Sequence, residues 1–327
     1  MPTTISPKPN YSATAVRPSW AELPARIKEL VEGRLGGAVV PRPSAGSGFT
    51  SGFAAEVLGP DGPQFVKAAN SSTAPYVADC YRREALINQA LPAAVPAPRV
   101  RWIEEAEGWV VLGLDAVEGA RMPADPWRPA ELVAVLDACA ASAQALVRPT
   151  RSLLELGLKP VADDSTFENW RLLTAGMTRM DELPEWFPRE LIDPLADLES
   201  NCAAAAAGNS VLHLDLRRDN VVLGPGGRAW ICDWNWPCLG PSWFDLTLLL
   251  ATAHADGHDA SQLFAEHPTA QDVDPEQLDA VLAALTGHFL RSGAQPPPPG
   301  SPALRQHQAW CGEVMLRWLT ERRHWQV

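Results

Sequence analysis

The feature that most constrains the fold is a change of sequence pattern near Gly119. Before that point, glycine-rich turns separate short apolar runs of strand type, with one helical run among them. Beyond it, apolar residues recur mainly at helical spacing. A chain of 327 residues suits two units of roughly 100–200 residues each. The pattern therefore predicts an α+β fold with two lobes, a small antiparallel β-rich lobe followed by a larger α-helical lobe.

Composition divides the chain further. Residues 1–18 are polar and contain several prolines, which predicts a flexible N-terminal arm. The small lobe is expected over residues 19–118 and the helical lobe over residues 119–327. Helices of the second lobe are predicted over these stretches: 129–147, 190–208, 243–254, 275–292 and 303–324.

Charge and cysteine usage exclude several classes of protein. The net charge of −12 argues against a nucleic-acid partner and is compatible with a neutral or cationic small substrate. The first residues contain no apolar core of a signal peptide, and no run of 18 apolar residues predicts a membrane span. The six cysteines form no C-x-x-C pair, which is typical of reduced thiols in a cytoplasmic protein.

The most informative stretch is VLHLDLRRDNVVLGPGGRAWICD, residues 211–233. Two short apolar runs flank a Gly-Pro-Gly-Gly turn, so they predict an antiparallel hairpin. Asn220 precedes the hairpin and Asp233 follows it, which places both at its open end. Asp215 lies five residues before Asn220, on a short loop preceded by His213.

These side chains are hard oxygen donors, the type that magnesium prefers together with substrate phosphates. Asn220 and Asp233 are candidate metal ligands, which leaves Asp215 as a general base or as the group that orients a hydroxyl nucleophile. The pattern H-x-D-x-x-x-x-N, with another Asp 18 residues after the first, is the catalytic layout of kinases. Each residue alone is more typical of a turn or a packing position, but their conjunction favours catalysis.

A kinase also needs a lysine for the nucleotide α/β-phosphates and a glutamate that holds it. Lys67 ends the strand-like run QFVK, and Glu84 lies in the helical run that follows. Only four of the 27 basic residues are lysine, so a lysine at this position is informative. A compact ammonium suits phosphate there, whereas the alternative is a solvated lysine at a strand end.

A glycine-rich turn over the phosphates is the third requirement. Gly46, Ser47, Gly48 and Phe49 lie in such a turn, and glycines allow close approach of backbone N–H groups to phosphate. The spacing G-x-G-x-x-x-G is one residue longer than the usual one and is also found in ordinary hairpin turns. No G-x-x-x-x-G-K-[ST] motif occurs, which excludes a P-loop NTPase.

The motifs HLDLRRDN, CDW and FDL resemble those of the aminoglycoside phosphotransferase superfamily. This group of protein-kinase-like small-molecule kinases also includes choline, homoserine and fructosamine kinases. The resemblance implies a two-lobed protein-kinase-like fold, with ATP or GTP and Mg²⁺ as cofactors. It also implies that Asp215 is the catalytic aspartate, that Asn220 and Asp233 bind magnesium, and that Lys67 and Glu84 form the phosphate-binding pair.

The resemblance also implies that the backbone near Asp115 and Val117 binds adenine and that Asp245 braces the catalytic loop. Arg217 departs from the family, where many relatives have histidine at this position. It either helps to neutralise the transferring phosphoryl group or braces the loop through an aspartate such as Asp219 or Asp245. We retain both interpretations and include Arg217 among the candidate catalytic residues.

The short sequence separation of Asp233 and Asp245 indicates the size of the acceptor. Only 12 residues separate them, and no A-P-E motif lies between them, so the peptide-docking segment of protein kinases has no room. A small acceptor is therefore expected. The acidic stretch 256–279 could attract a polyamine sugar or be a solvated helix face. Trp236 or Trp243 could reach the acceptor pocket, whereas Trp234 is expected to pack in the core.

The sequence thus predicts transfer of a nucleotide γ-phosphoryl group to a hydroxyl of a small molecule. An aminoglycoside, another hydroxylated antibiotic or an amino sugar is the favoured acceptor, which would make the enzyme one of antibiotic resistance. The alternatives are a metabolic kinase of the choline, homoserine, nucleoside or sugar type, and a non-catalytic nucleotide-binding protein with a kinase-like fold.

Overall fold

The computed structural model describes residues 5–178 and 183–326. Its first lobe contains a fully antiparallel sheet of five strands in the order β1-β2-β3-β5-β4. The strands and their two flanking helices are β1 (Val40–Pro41), β2 (Phe53–Gly59), β3 (Gly62–Asn70), β4 (Val100–Ala106), β5 (Trp109–Asp115), α1 (Ala25–Arg34) and α2 (Pro75–Ala90). The predicted β-rich first lobe is confirmed.

Alternation along β3 assigns its side chains to two faces of the sheet. Val66 and Ala68 are buried in one cluster with α1. Ala69 is buried in another cluster with α2, and Lys67 shares that face because it lies two residues away. The strand therefore directs the predicted phosphate-binding lysine toward the helix that carries Glu84.

The second lobe is helical, as predicted. The chain leaves β5 at Asp115 and enters the next helix at Pro129, so the predicted lobe boundary falls within the connection. The helices are α3 (Pro129–Leu146), α4 (Arg151–Glu155), α5 (Asn169–Thr174), α6 (Ile192–Glu199), α7 (Cys202–Ala205), α8 (Phe244–Ala255), α9 (Ala260–Glu266), α10 (Pro275–Gly293) and α11 (Leu304–Arg323).

One predicted helix is divided. The stretch 190–208 forms α6 and α7, with a break at Ser200 and Asn201. Both side chains donate hydrogen bonds to the carbonyl oxygen of Asp197, at 2.6 Å and 3.3 Å. Such bonds compete with regular helical bonding, which accounts for the break.

Helices α10 and α11 pack closely in the core of the second lobe. A Cβ atom at Gly312 would lie only 2.8 Å from the side chain of Leu290, so glycine is needed at this contact. Helix α3 is long and apolar enough to span a membrane by length and composition alone. Its residues Leu132 and Val135 are nevertheless buried in the protein core.

Two small sheets frame the predicted catalytic segment. β6 (Ser210–Leu212) pairs with β9 (Cys238–Gly240), and β7 (Val221–Leu223) pairs with β8 (Ala229–Ile231). The β7–β8 pair is the hairpin that the sequence predicts. Arg121 of the lobe connection exchanges backbone hydrogen bonds with Leu223, which attaches this hairpin to the segment between the lobes.

The structure differs from the predicted flexible arm in residues 5–18, which pack against the helical lobe at their start and against the small lobe at their end. The Ile5 and Ser6 amides donate to the buried carboxylate of Glu313 at 2.7 Å and 2.6 Å. The Tyr11 ring is buried, and its hydroxyl lies 2.8 Å from Nδ1 of His307. The sequence could not predict this packing, because hydrogen bonds between arm amides and a carboxylate far along the chain produce no periodic pattern.

Candidate active site

The loop after β6 is fixed by the carboxylate of Asp245 at the start of α8. Its two oxygens accept hydrogen bonds from the backbone N–H groups of His213 and Leu214 at 2.7 Å and 2.8 Å. Leu214 has a left-handed φ of 62°, which these bonds help to hold. Asp245 thus makes the bracing contact that the resemblance implies for it, and the following residue, Asp215, is presented by a fixed backbone.

His213 serves the same loop from inside the core. Its ring is buried, with Nε2 2.8 Å from the carbonyl oxygen of Cys232 and an edge-to-face contact with Trp234 at 4.7 Å. Burial lowers the pKa of His213, which favours the neutral imidazole. His213 is therefore a packing residue, and Trp234 lies in the core as predicted.

The hairpin brings the candidate ligands together. Asn220 Nδ2 donates to the carbonyl oxygen of Asp215 at 2.7 Å and to its carboxylate at 3.0 Å. The Cys232 amide donates to the Asn220 carbonyl oxygen at 2.8 Å, which places Asp233 at the open end of the hairpin beside Asn220. The predicted convergence of these three polar side chains is therefore present.

Lys67 connects the two lobes at this point. Its Nζ donates to both carboxylate oxygens of Glu84 at 2.8 Å and contacts the carboxylate of Asp233. Lys67 and Glu84 are buried, whereas one third of the Asp233 side chain (33%) is exposed. The exposed side of Asp233 leaves room for a ligand to approach.

Burial shifts the protonation of all three carboxyl groups near the cleft. Burial raises the pKa of Asp215 to about 6, against the opposing charge of Arg217. Burial also raises the pKa of Glu84 despite its contact with Lys67. At Asp233 burial acts in the same direction, but the Lys67 ammonium outweighs it and lowers the pKa. Asp215 thus has the character of a base that works near neutral pH.

Arg217 lies between two carboxylates of its own loop. Its Nη1 is 3.0 Å from Asp215, its Nε donates to Asp219 at 3.1 Å, and its guanidinium carbon is 4.9 Å from the Phe49 ring centroid. The contact with Asp219 is the predicted brace, and the contact with Asp215 places the positive charge at the reacting end of the loop. The geometry accommodates both predicted roles of Arg217.

A cavity of about 380 Å³ separates the two lobes next to these residues. Its walls include Gly46, Ser47 and Gly48 of the glycine-rich turn, together with Lys67 and Asp233. Asp115 and Val117 line the same cavity in the segment where the chain leaves the sheet.

Two residues predicted to contact the nucleotide have other partners in the structure. Phe49 is not part of the cavity wall described here but packs on Arg217 and, at 4.9 Å between centroids, on His307 of α11. Its carbonyl oxygen accepts a hydrogen bond from Ser301, so Phe49 contacts the helical lobe through both its ring and its backbone. The Asp115 amide already donates to the Arg99 carbonyl oxygen at 2.8 Å, which leaves only its carbonyl for adenine.

The oxygen donors at the hairpin fit a magnesium ion that is completed by phosphates. Within residues 5–178 and 183–326, no group of three His, Cys, Asp or Glu side chains could hold a metal alone. Magnesium commonly uses one or two carboxylates with substrate phosphates and water. Asp233 supplies a charged oxygen and Asn220 a neutral one, while the buried Oδ1 of Asn235 has no hydrogen-bond partner among the described residues.

A second charged cluster, which no sequence motif indicates, surrounds Arg218 in the loop that follows Asp215. Arg218 is fully buried and forms ion pairs with Asp125 and Asp256, and Lys8 of the arm contacts the same two carboxylates. The arginine also lies 4.6 Å from the ring centroid of Trp127. Its partners are remote in sequence, so no local motif could identify it.

The acidic stretch 256–279 has structural duties instead of forming an open rim. Asp259 and Asp274 cap α9 and α10, since their side chains accept backbone N–H bonds at 2.9 Å and 3.0 Å. Asp279 is buried against Arg322 and Arg323. These partners give three of the acidic residues structural roles, which argues against an open rim for a polyamine sugar.

The tryptophans divide as expected. Trp243 is buried, whereas Trp236 is 40% exposed and stacks on Tyr76 of α2 with ring centroids 6.3 Å apart. The guanidinium of Arg83 lies 5.8 Å from the Trp236 ring centroid. Trp236 is therefore the tryptophan that remains available to a ligand.

Solved structures of small-molecule kinases share this fold. Spectinomycin phosphotransferase APH(9)-Ia, in complex with ADP and spectinomycin, matches with a TM-score of 0.59 and 12% identity over 91% of this chain and 98% of that chain. Choline kinase LicA from Streptococcus pneumoniae matches with a TM-score of 0.57 and 12% identity over 91% and 100%. The GDP and kanamycin complex of APH(2")-IIia matches with a TM-score of 0.57 and 17% identity over 88% and 93%.

These similarities confirm the predicted protein-kinase-like fold. A comparison with curated proteins finds no match. The sequence model of the phosphotransferase enzyme family (APH) matches residues 47–296, which is most of the chain and includes the glycine-rich turn from Ser47 onward, Lys67 and the whole hairpin. The chain belongs to the phosphotransferase enzyme family.

Proposed function

We propose that the protein transfers the γ-phosphoryl group of ATP to a hydroxyl of a small molecule. The observation that carries this proposal is the contact of Lys67 with both Glu84 and Asp233, next to the Asp215–Asn220 pair. Phosphoryl transfer needs positioning and neutralisation of charge more than covalent chemistry. Related structures with bound ADP, GDP or AMP agree with a nucleotide in this cleft, and GTP is the alternative donor.

Asp215 is the proposed general base. Its carboxylate accepts the proton of the acceptor hydroxyl as the new oxygen–phosphorus bond forms and the bond to the leaving ADP breaks. Arg217 holds a positive charge 3.0 Å from this carboxylate, where it can also stabilise charge on the transferring group. The raised pKa of Asp215, about 6, leaves it ionised at neutral pH yet basic enough to accept a proton.

The nucleotide is expected to lie in the cavity between the lobes. Lys67 holds the α/β-phosphates, with Glu84 as its positioning partner, and the backbone of Gly46, Ser47 and Gly48 covers them. Backbone groups of Asp115 and Val117 border the position for the base.

Asn220 and Asp233 are the proposed ligands of magnesium. Bound magnesium would supply neutralisation of the phosphate charges. The Lys67 ammonium, which contacts Asp233, then holds that carboxylate in its ionised form. This arrangement keeps a negatively charged oxygen ready for a cation at the edge of the cleft.

The exposed aromatic surface of Tyr76 and Trp236 is the proposed wall of the acceptor site. Burial and the neighbouring Cys80 raise the pKa of Tyr76 to about 12, and the charge of Asp215 adds to this effect. The charge of Asp215 thus acts on the Tyr76 hydroxyl. Aromatic faces pack well against sugar rings, which favours a hydroxylated antibiotic or amino sugar, as in the spectinomycin and kanamycin complexes of related folds.

A metabolic kinase of the choline type is the second candidate. The same aromatic pair could pack against a quaternary ammonium group, which would have to displace the Arg83 guanidinium from the Trp236 ring. The fold shared with a choline kinase supports this candidate equally. The two acceptor classes differ in size and charge, so direct measurement separates them.

An acceptor screen tests the proposal. The protein would be incubated with Mg-ATP and, in turn, aminoglycosides, spectinomycin, amino sugars, nucleosides, homoserine and choline, while ADP release is followed. Mass spectrometry would then identify a phosphorylated product. ADP release that requires an acceptor supports the proposal and names the acceptor class. Binding of Mg-ATP without ADP release for any acceptor would instead support a non-catalytic nucleotide-binding protein.

A further inference from the structure

Arg17 lies outside the segment that the family model matches, yet its side chain reaches the glycine-rich turn. Its Nη1 donates to Thr50 Oγ1 at 3.0 Å and to the Gly52 carbonyl oxygen at 2.9 Å. Its Nη2 donates to the Ser47 carbonyl oxygen at 3.0 Å. One guanidinium group from the N-terminal arm therefore holds the turn at three points.

The contact with the turn is close and involves its backbone. A Cβ atom at Gly48 would lie 3.0 Å from Arg17 Nη2, and Gly48 has a left-handed φ of 88°. Since the guanidinium occupies carbonyl oxygens of the turn, the amide N–H groups of the turn remain for another acceptor. Successive N–H groups in such a turn form a concavity that binds anions.

Arg17 contacts no carboxylate directly, and its charge acts on the carboxyl groups of Asp233 and Glu84 only from a distance, in the direction that lowers their pKa. All three groups that it contacts are neutral oxygens, and no ion pair of Arg17 occurs in the part of the chain that the structure describes. Its Nε atom is buried and has no hydrogen-bond partner there. A buried donor of a charged group without an acceptor is unfavourable, so the site is electrostatically suited to an anion.

The position of Arg17 relates this positive charge to Lys67. Both residues line the cavity between the lobes, together with Asp233. Between them lies Tyr81, whose hydroxyl lies against Gly52 and whose ring centroid is 5.8 Å from Lys67 Nζ. Lys67 of the small lobe and Arg17 of the arm thus both line the cavity, Arg17 at the glycine-rich turn.

We propose that Arg17 binds the β-phosphate of the nucleotide while it holds the glycine-rich turn in shape. The small lobe would then offer two cations to the phosphates, Lys67 from β3 and Arg17 from the arm. The inference rests on the proposed function, because it assumes that a nucleotide occupies this cavity. It adds a phosphate-binding residue from a segment that the family match, residues 47–296, does not include.

Calorimetric titration of the full-length protein with Mg-ATP, Mg-ADP, AMP and adenosine tests the inference. In Arg17→Gln, affinity for ATP and ADP should fall about 10- to 100-fold, the effect of one charge-assisted hydrogen bond. Affinity for adenosine should not change, because adenosine has no phosphate. Arg17→Lys keeps the charge and should lose less than Arg17→Gln. Thermal unfolding verifies that each variant is folded.

Ser44→Ala is the matched control for the docking of the arm. It removes the hydrogen bond from Ser44 Oγ to the Pro18 carbonyl oxygen, at 2.6 Å, without a change in charge. The ratio of ADP to adenosine affinity should stay at its wild-type value in this variant. An equal loss for ADP and adenosine in Arg17→Gln, or an equal effect of Ser44→Ala, would overturn the inference.

The wild-type protein separates this inference from the proposed function. If wild-type protein binds nucleotides and Arg17→Gln loses the phosphate-dependent part, the inference holds even when no acceptor releases ADP. In that case only the transfer reaction is refuted. If wild-type protein binds none of the four ligands, both the inference and the proposed function are wrong.

Discussion

Two adjacent arginines in the loop that follows Asp215 have different partners. Arg217 is 14% exposed at its side chain and pairs with Asp215 and Asp219, both within two residues of it. Arg218 is 1% exposed and pairs with Asp125 and Asp256, which lie far away in sequence. The same residue type therefore serves two different purposes at neighbouring positions.

The difference shows that one short loop both presents a charge at the cleft and is attached to the rest of the protein. The local partners of Arg217 keep its charge at the cleft, where a substrate can use it. The remote partners of Arg218 attach the loop to the lobe connection and to the end of α8. A cation with local carboxylates can adjust the chemistry, whereas a buried cation with remote carboxylates mainly holds the fold. Substitutions should therefore separate activity from stability.

The largest expected effect is a loss of turnover when Asp215, the partner of Arg217 at the cleft, is changed. Asp215→Asn keeps the shape of the side chain but removes the base, so turnover should fall roughly 10²–10⁴-fold. Nucleotide affinity and the free energy of unfolding should stay near their wild-type values, because the Asp215 side chain is partly exposed. Steady-state ADP release with a confirmed acceptor and calorimetric titration with Mg-ATP provide the measurements.

Asp256→Asn, which removes a carboxylate partner of Arg218, is the matched control. Asp256 is the buried partner of Arg218, so its loss should lower stability and leave turnover of the folded protein almost unchanged. Near-normal turnover in Asp215→Asn would refute the division of roles between Arg217 for activity and Arg218 for stability. Loss of turnover without loss of stability in Asp256→Asn would refute it as well.

Removal of Arg218 tests directly whether its buried ion pairs stabilise the protein. Arg218→Met leaves the buried carboxylate of Asp256 with Lys8 as its remaining cation, and breaking a buried ion pair typically costs about 3–5 kcal/mol. We expect a decrease of this order in the free energy of unfolding, measured by urea denaturation with tryptophan fluorescence. A change below about 1 kcal/mol, the range of surface ion pairs, would show that Arg218 does not anchor the loop.

The pH dependence of turnover tests Arg217. Burial raises the pKa of Asp215 to about 6 while Arg217 acts to lower it, and the base works only when ionised. Turnover should therefore decline as the pH falls below about 6. Arg217→Gln removes the opposing charge, which raises the pKa of Asp215 further and moves this decline to higher pH.

At pH 7 the expected loss in Arg217→Gln is on the order of tenfold, and part of it should be recovered at higher pH. A pH profile with an unchanged acid limb but uniformly lower turnover would mean that Arg217 acts only on the transferring group. Arg83→Gln, outside the loop, is the control and should leave the position of the acid limb unchanged.

Sequence reasoning succeeded where chemistry is encoded locally. A turn between two apolar runs sufficed to bring Asn220 and Asp233 together, since a hairpin joins residues that bracket it. The Lys67–Glu84 contact followed from a strand and the next helix. The positions of Arg17 and Arg218 could not be predicted in this way, because their partners come from separate segments and are chosen by tertiary packing.

The smallest expected effect comes from Lys8, the arm residue that contacts the carboxylate partners of Arg218. Its Nζ lies 2.7 Å from Asp256 and also contacts Asp125, but its side chain is 27% exposed, so solvent screens the pair. Lys8→Met should lower the free energy of unfolding by about 0.5–1 kcal/mol at neutral pH. Lys28→Met, far from this cluster, is the control and should have no effect of this size.

The loss in Lys8→Met should also depend on pH. Burial raises the pKa of Asp256, but its contacts with Lys8, Trp127 and Arg218 outweigh burial and lower it. A lowered carboxyl pKa contributes stability above the pKa of the unfolded chain, and this stability is lost as the pH falls through the folded value. The difference between wild-type protein and Lys8→Met should therefore shrink on acidification. Urea denaturation across this pH range measures it, and a difference independent of pH would exclude Asp256 as the partner through which Lys8 stabilises the arm.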